Sequence, residues 1–252
     1  MTANYFYCAY ALSPLRKENS DTSEIVSQLV FGEIVELIEE KEQWRKVRSF
    51  HDNYEGWTDF KLLNPLTQKE VTRWLDGQTI EYNHFREITG PNGKFFALKG
   101  SFRTIDTVNS FKIGNNEYVY TDIDRIEKPT SPSEFALSFL NSPYLWGGKS
   151  VFGIDCSGLS QTVFRLFDIK LPRDAHEQEE MGIEIPYGEH QKDDLVFFVN
   201  ANNKIHHVGI LISENELIHA HGFVRIDDFT ADGIVQKHSG ILSHKLYSIK
   251  RV

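Results

Sequence analysis

The segment Lys128-Pro129-Thr130-Ser131-Pro132-Ser133 constrains this chain more than any other. Two prolines and three hydroxyl residues within six positions suit neither a helix interior nor a central strand, so the segment reads as a linker. The chain has 252 residues. At roughly 100–200 residues per domain, that length fits two domains or three small ones. The pattern changes across the linker. Ahead of it the sequence reads as short strands. Behind it a helical stretch precedes a run of strands, the order of an α+β domain.

In residues 1–63, Ile34-Val35-Glu36-Leu37-Ile38 reads as a strand and Trp44-Arg45-Lys46-Val47-Arg48 alternates. His51 to Glu55 is turn-rich and leads into Gly56-Trp57-Thr58. Short strands with frequent turns suggest a small barrel or sandwich. Asn64-Pro65-Leu66 is the expected boundary. Residues 64–127 again read as strands, at Phe95–Leu98, Ser101–Arg103 and Glu117–Tyr120, with turns at Gly90-Pro91-Asn92-Gly93 and Gly114-Asn115-Asn116. Beyond the linker, Ser133 is the expected N-cap of a helix reaching Phe139. Residues 156–167 read as a helix with Leu159, Val163, Leu166 and Phe167 on its apolar face. Strands are expected at Leu195–Val199, His207–Ile212, Glu216–Ala220 and Lys245–Ile249.

Two widely spaced cysteines, Cys8 and Cys156, make neither a disulfide framework nor a Cys-based zinc site. Cys8 lies in the string Tyr5-Phe6-Tyr7-Cys8-Ala9-Tyr10 and reads as a small buried hydrophobe. Cys156 follows the turn Gly153-Ile154-Asp155 and opens the predicted helix. Free N–H groups and the positive end of the helix dipole favour a thiolate there. A structural buried thiol is the alternative.

The histidines sharpen the choice. His207-Val208-Gly209-Ile210-Leu211-Ile212 and Glu216-Leu217-Ile218-His219-Ala220 flank the turn Ser213-Glu214-Asn215. A hairpin centred near residue 213 places His207 and His219 about opposite each other on one face. His207 can then act as general base for Cys156, with His219 holding its other nitrogen. Gly209 on that face leaves room for a substrate backbone or a close helix. His206 points to the other face, and His221 extends the polar row. A histidine metal site of His207, His219 and His221 is the rival reading of the same face.

Tyr144-Leu145-Trp146-Gly147-Gly148, Asp155-Cys156-Ser157-Gly158-Leu159, Leu171-Pro172-Arg173-Asp174-Ala175, Asp194-Leu195-Val196-Phe197-Phe198, His207-Val208-Gly209-Ile210 and Ile218-His219-Ala220 together resemble the ordered motifs of the NlpC/P60 cysteine peptidases. The resemblance spans about residues 133–222. Phe31-Gly32-Glu33, the apolar strand, Trp44-Arg45-Lys46-Val47 and Gly56-Trp57-Thr58 resemble a bacterial SH3-like (SH3b) barrel. The resemblance implies an α+β fold: a papain-like NlpC/P60 domain over 128–252 behind two small all-β SH3-like barrels, at 1–63 and, more divergent, at 64–127. It also implies the γ-D-glutamyl-L-diamino acid endopeptidases that act on murein peptides, with Cys156 as nucleophile, His207 as base, His219 as third polar residue, and no cofactor or metal.

By the same resemblance Asp155, Ser157 and Asp174 contact the peptide substrate. Trp146 is a candidate lining of the site, with plain packing as its alternative, and Tyr144 is a candidate oxyanion donor, with a core role as its alternative. Helix capping is the alternative for Asp155, and a solvated or Arg173-paired loop for Asp174. Relatives that require a free N-terminal L-Ala read its amine with acidic and tyrosine groups on the first SH3b barrel. Glu24 and Tyr54 are the candidates here, with a surface glutamate and a turn tyrosine as the alternatives.

Charge narrows the partners. With 27 basic and 36 acidic residues the net charge is −9. An acidic balance disfavours nucleic acid and anionic membrane surfaces. No apolar run reaches the roughly 18 residues of a membrane helix. Tyr5 to Leu12 lacks a basic n-region, and Pro14-Leu15-Arg16-Lys17 runs on from it, so it does not read as a secretory signal. The expectation is a cytoplasmic enzyme of murein recycling that takes the tripeptide or tetrapeptide L-Ala-γ-D-Glu-diamino acid. The alternatives are a cell-wall hydrolase of the same chemistry outside the cytoplasm, a peptidoglycan-binding SH3b protein without activity, and an acyltransferase or amidase on the same core.

Overall fold

The computed structural model describes residues 4–104, 109–121 and 127–252. The chain divides into two compact units between Lys128 and Pro129.

In the N-terminal unit, Tyr5–Cys8, Leu12–Arg16, Ile25–Val30, Ile34–Lys41, Trp44–Ser49, Glu55–Asp59 and Leu63–Leu66 form one seven-stranded sheet. Cys8, Leu15, Leu29, Val35, Val47 and Leu63 fill its core, so Cys8 packs as a hydrophobe. The expected boundary at Asn64-Pro65-Leu66 lies inside the last strand, which pairs with Tyr5–Cys8. Helix α1 (Gln68–Gly77) follows directly. The Thr67 hydroxyl accepts the Glu70 N–H, and the Glu70 carboxylate accepts the Thr67 N–H. This capping box closes the first turn where the sequence had read only strands.

Phe85–Gly90, Gly93–Leu98, Ser110–Ile113 and Asn116–Tyr120 form a second, four-stranded sheet. The two sheets share aromatic packing. Phe31 meets Phe95, Phe111 and Tyr118 at ring separations of 5.0, 6.1 and 4.9 Å. The Tyr7 and Tyr118 hydroxyls lie 2.8 Å apart, and the Trp74 indole N–H donates to the Gly32 carbonyl at 2.8 Å.

The C-terminal unit opens with α2 (Pro132–Leu137), capped by Ser131 rather than Ser133. Pro132 supplies the first helical residue, whose missing N–H costs nothing there, so the cap falls one residue before it. Helix α3 (Cys156–Arg165) is buried on every side, not only on its apolar face. Helix α4 (Ala175–Glu179) is short. The sheet of this unit contains β1 (Ile183–Glu184), β2 (Leu195–Val199), β3 (Ile205–Leu211), β4 (Glu216–His221), β5 (Phe223–Thr230), β6 (Gly233–Val235) and β7 (Leu242–Arg251). Its order is β1-β7-β2-β3-β4-β5-β6, and β6 also pairs with β7, closing a barrel. Val196, Phe198, Leu211, Leu217, Phe229, Ile234 and Ile249 form its apolar core. Helix α3 packs against β3 and β4.

Candidate active site

Asp155 determines where α3 begins. Its carboxylate accepts the Gly158 N–H at 2.7 Å, the N-cap bond, and the Gly147 N–H at 2.8 Å. Arg173 grips the same carboxylate with two N–H groups, at 3.0 and 2.6 Å, and donates to the Ser157 hydroxyl at 2.9 Å. All three residues are buried. Arg173 therefore pairs directly with Asp155, and its charge also acts on Asp174. Gly158 is required by packing, because a Cβ there would run into the Gly148 carbonyl. The 143–148 segment is fixed in turn by the Tyr144 N–H donating to the Gly222 carbonyl at 3.0 Å and by the Pro143 carbonyl accepting the Ile154 N–H at 3.0 Å.

These contacts place Cys156 as the first residue of α3, with 7% of its surface exposed. Burial, with the Asp155 carboxylate alongside, pushes its thiol up to about 12. The N–H groups of Val208 and Ser157 and the Arg173 guanidinium pull the other way. Burial thus works against the thiolate that the helix terminus favours, and a base beside the thiol would take its proton. Val208, whose N–H faces the sulfur, is the neighbour of His207 in β3.

His207 Nε2 and His219 Nδ1 lie 2.8 Å apart. The strands reach this contact in a register different from the one expected. Ile210 pairs with Ile218 and Leu211 with Leu217. Continued along the ladder, that register sets His219 opposite Gly209, and His207 meets it diagonally. Gly209 serves this contact, not an open space: a Cβ there would come within 2.5 Å of Leu217 Cδ1 and 3.4 Å of His219 Cβ. The facing nitrogens are committed to each other. Among the described residues no three His, Cys, Asp or Glu side chains converge as metal ligands.

The structure adds two residues that the sequence had not singled out. Asp227, on β5, takes His219 Nε2 at 3.1 Å. His244, on β7, stacks on His207 at 4.3 Å with the rings 27° apart. His221 lies 6.2 Å from His219, nearly parallel, and His206 is exposed. Burial holds the imidazolium form of His207 well below its usual range and lowers His219 as well, against the pull of Asp227. His244 is lowered to about 3, chiefly by burial. Burial acts to raise the Asp227 carboxyl, but bonds from His219, the Lys237 N–H and Arg225 outweigh it and hold the group at about 2. His207, His219 and His244 are thus favoured in their neutral form beside a charged carboxylate.

The remaining candidates fall in different places. Burial raises the Tyr144 phenol, and so do the nearby Cys156 and Asp155, which keeps it a proton donor. Trp146 is 60% exposed. Asp174 precedes α4 without capping it through its side chain, and burial raises its carboxyl. Tyr54 and Glu24 belong to the N-terminal unit. Tyr54 is half-buried ahead of the Glu55–Asp59 strand, and Glu24 is exposed, 3.8 Å from Lys17 Nζ.

A family model described as the NlpC/P60 family matches residues 141–242, and one described as the bacterial dipeptidyl-peptidase Sh3 domain matches residues 15–59. A gamma-D-glutamyl-L-lysine dipeptidyl-peptidase of Bacillus cereus (strain ATCC 10987 / NRS 248) is 25% identical over 260 residues, covering 88% of this chain and 75% of that protein. Dipeptidyl-peptidase 6 of Lysinibacillus sphaericus is 29% identical over 79% of this chain and 80% of that protein. A probable endopeptidase of Haemophilus influenzae is 34% identical over 42% of this chain and 70% of that protein. The solved structure of an NlpC/P60 family protein from Bacillus cereus ATCC 10987 superposes with a TM-score of 0.79 at 18% identity, over 98% of this chain and 99% of that one.

Proposed function

We propose, for a chain that belongs to the NlpC/P60 peptidase family and carries an N-terminal SH3-like region, a cysteine endopeptidase that cuts the γ-D-Glu–diamino acid bond of murein peptides beginning with L-Ala. The observation that carries this reading is Cys156 at the first position of a buried helix, beside β3, whose His207 is bonded at 2.8 Å to His219. A nucleophile, a base and an orienting group are the minimum for acyl transfer.

The Cys156 sulfur attacks the γ-carbonyl carbon as His207 takes its proton. The carbonyl oxygen becomes an oxyanion. The Cys156 backbone N–H at the helix terminus and the Tyr144 hydroxyl are its donors. His207 then protonates the departing amine of the diamino acid, leaving a thioester. Water adds with His207 again as base, and the L-Ala-γ-D-Glu dipeptide leaves as the thiol is restored. Asp174, a half-buried carboxylate without a cap bond, is suited to a cationic group of the peptide. Asp155 and Ser157 act mainly by holding the nucleophile's helix, since both are engaged by Arg173. The name of the Bacillus cereus relative supports the γ-D-glutamyl specificity, and the net charge of −9 supports small soluble peptides over anionic sacculi as substrate. Cytoplasmic recycling is the setting we propose for it, checked by cell fractionation.

The test is mass spectrometry of L-Ala-γ-D-Glu-meso-diaminopimelate and its L-Lys counterpart with the wild type and Cys156→Ala. N-acetylated copies run alongside. Cleavage of the free-amine peptides alone, lost in the variant, is the expected result. Cleavage of both forms would discard the free-amine requirement. A folded wild-type protein that cleaves neither would overturn the assignment.

A further inference from the structure

We propose that Asp227 is a positioning residue of the catalytic relay: by accepting the His219 Nε2–H it fixes the tautomers of both histidines and leaves His207 Nδ1 bare to receive the thiol proton. The argument rests on the reading of Cys156 and His207 as nucleophile and base.

The chain of donors runs one way. Asp227 is an ionised carboxylate and can only accept. At 3.1 Å from its Oδ2, His219 Nε2 must carry a hydrogen. A neutral imidazole has one N–H, so His219 Nδ1 is bare and accepts. His207 Nε2, 2.8 Å away, is then the donor. Its own single hydrogen is thereby spent, and Nδ1 is left as the only free lone pair of the ring. When that nitrogen takes a proton, the new imidazolium keeps its bond to His219, and the carboxylate two links away stabilises the charge.

Asp227 is built for this. It is fully buried on β5. Its second oxygen accepts from Arg225 Nη2 at 2.8 Å and from the Lys237 N–H at 3.1 Å, which prevents the carboxylate from rotating. The strands explain the placement. His219 pairs with Arg225 across β4 and β5, so Asp227 lies on the same face, one diagonal step along. The charged and titratable groups around the pair are His207 from β3, His221 from β4, Arg225 from β5 and His244 from β7. The Lys237 ammonium is held outside by Glu216 and Asp228.

The decisive variant is Asp227→Asn. Arg225 and Lys237 demand an acceptor, so the amide oxygen takes the Oδ1 position and the NH₂ faces His219 Nε2. That nitrogen must then be bare. His219 Nδ1 acquires the hydrogen, His207 Nε2 must accept, and His207 Nδ1 becomes protonated and useless as a base. The expected kcat falls by about 10²–10⁴-fold, the scale on which a wrong tautomer disables such a relay, with KM little changed. Asp227→Ala leaves His219 Nε2 without a fixed partner and should cost less kcat than the asparagine, although it removes more. Two-bond ¹⁵N–¹H spectra of ring-labelled protein report the tautomers without substrate. The expected pattern is Nε2–H on both rings in the wild type and Nδ1–H on both in Asp227→Asn. Unchanged tautomers in Asp227→Asn, or an alanine variant more impaired than the asparagine, would overturn the proposal. If the wild type cleaves no murein peptide, the proposed function fails, while the spectra still decide the tautomers.

Discussion

Replacing Arg173 by methionine should unfold the C-terminal unit at markedly lower denaturant. The substitution keeps the apolar stem and removes three donated hydrogen bonds, two to Asp155 and one to Ser157. Asp155, 4% exposed, then holds its charge with the N–H groups of Gly147 and Gly158 and the Ser157 hydroxyl at 3.4 Å. Breaking a buried ion pair costs about 3–5 kcal/mol. The two N–H bonds that survive place this case at the low end, about 3 kcal/mol. Asp155→Asn strands the guanidinium and should cost a similar amount. The double variant carries no buried charge at this point, so its loss should fall short of the sum of the singles by about 2 kcal/mol. Equilibrium urea unfolding, followed by circular dichroism and tryptophan fluorescence, measures all three differences. A single Arg173→Met loss under about 1 kcal/mol, or strict additivity in the double variant, would refute the account of the helix anchor.

Two further outcomes follow from the same site. Gly158→Ala sets a Cβ against the Gly148 carbonyl and should destabilise by about 1–3 kcal/mol in the same urea assay, whereas a helix-propensity effect alone would stabilise. Acid should destabilise the C-terminal unit, because His207, His219 and His244 are lowered in the fold and bind protons more readily when unfolded. The His244 contribution is complete above pH 6.5 and is lost as pH falls toward about 3. Asked between pH 6 and 5, His244→Phe, which keeps a ring on His207, should flatten the slope of stability against pH by up to about 1.4 kcal/mol per unit.

The placement of Cys156, His207 and His219, the proposed nucleophile, base and orienting residue, was legible because each stands in a local pattern with a physical reason: a turn before a helix, and two alternating strands around a short loop. The register between those strands was not legible. The expected hairpin centres near residue 213 and the observed pairing centres on residue 214, and that shift moved His219 from opposite His207 to diagonal. Asp227 was hidden for another reason. Asp227-Asp228 reads as loop, since aspartate is depleted in strands, and only the pairing of β5 with β4 brings it to His219. His244 lies 37 residues beyond His207 and reaches it through barrel closure, which no local pattern encodes. Helix α1 is the opposite case, because Thr67-Gln68-Lys69-Glu70 carried the signature of its capping box in plain sequence.

The aromatic contacts of Phe31 bear on how such a chain can be recombined. Phe31 belongs to the turn between two strands of the first sheet, yet the rings it touches come from residues 95, 111 and 118. A fragment ending at Leu66 would turn that phenylalanine toward water and leave the Tyr7 hydroxyl with Asn64 but without Tyr118 and Asn116. The SH3-like segment is therefore not a removable bead. Exchange between related proteins, whether by gene shuffling or by design, should succeed when residues 4–121 travel as one cassette and fail when the crossover falls at the strand that ends with Leu66.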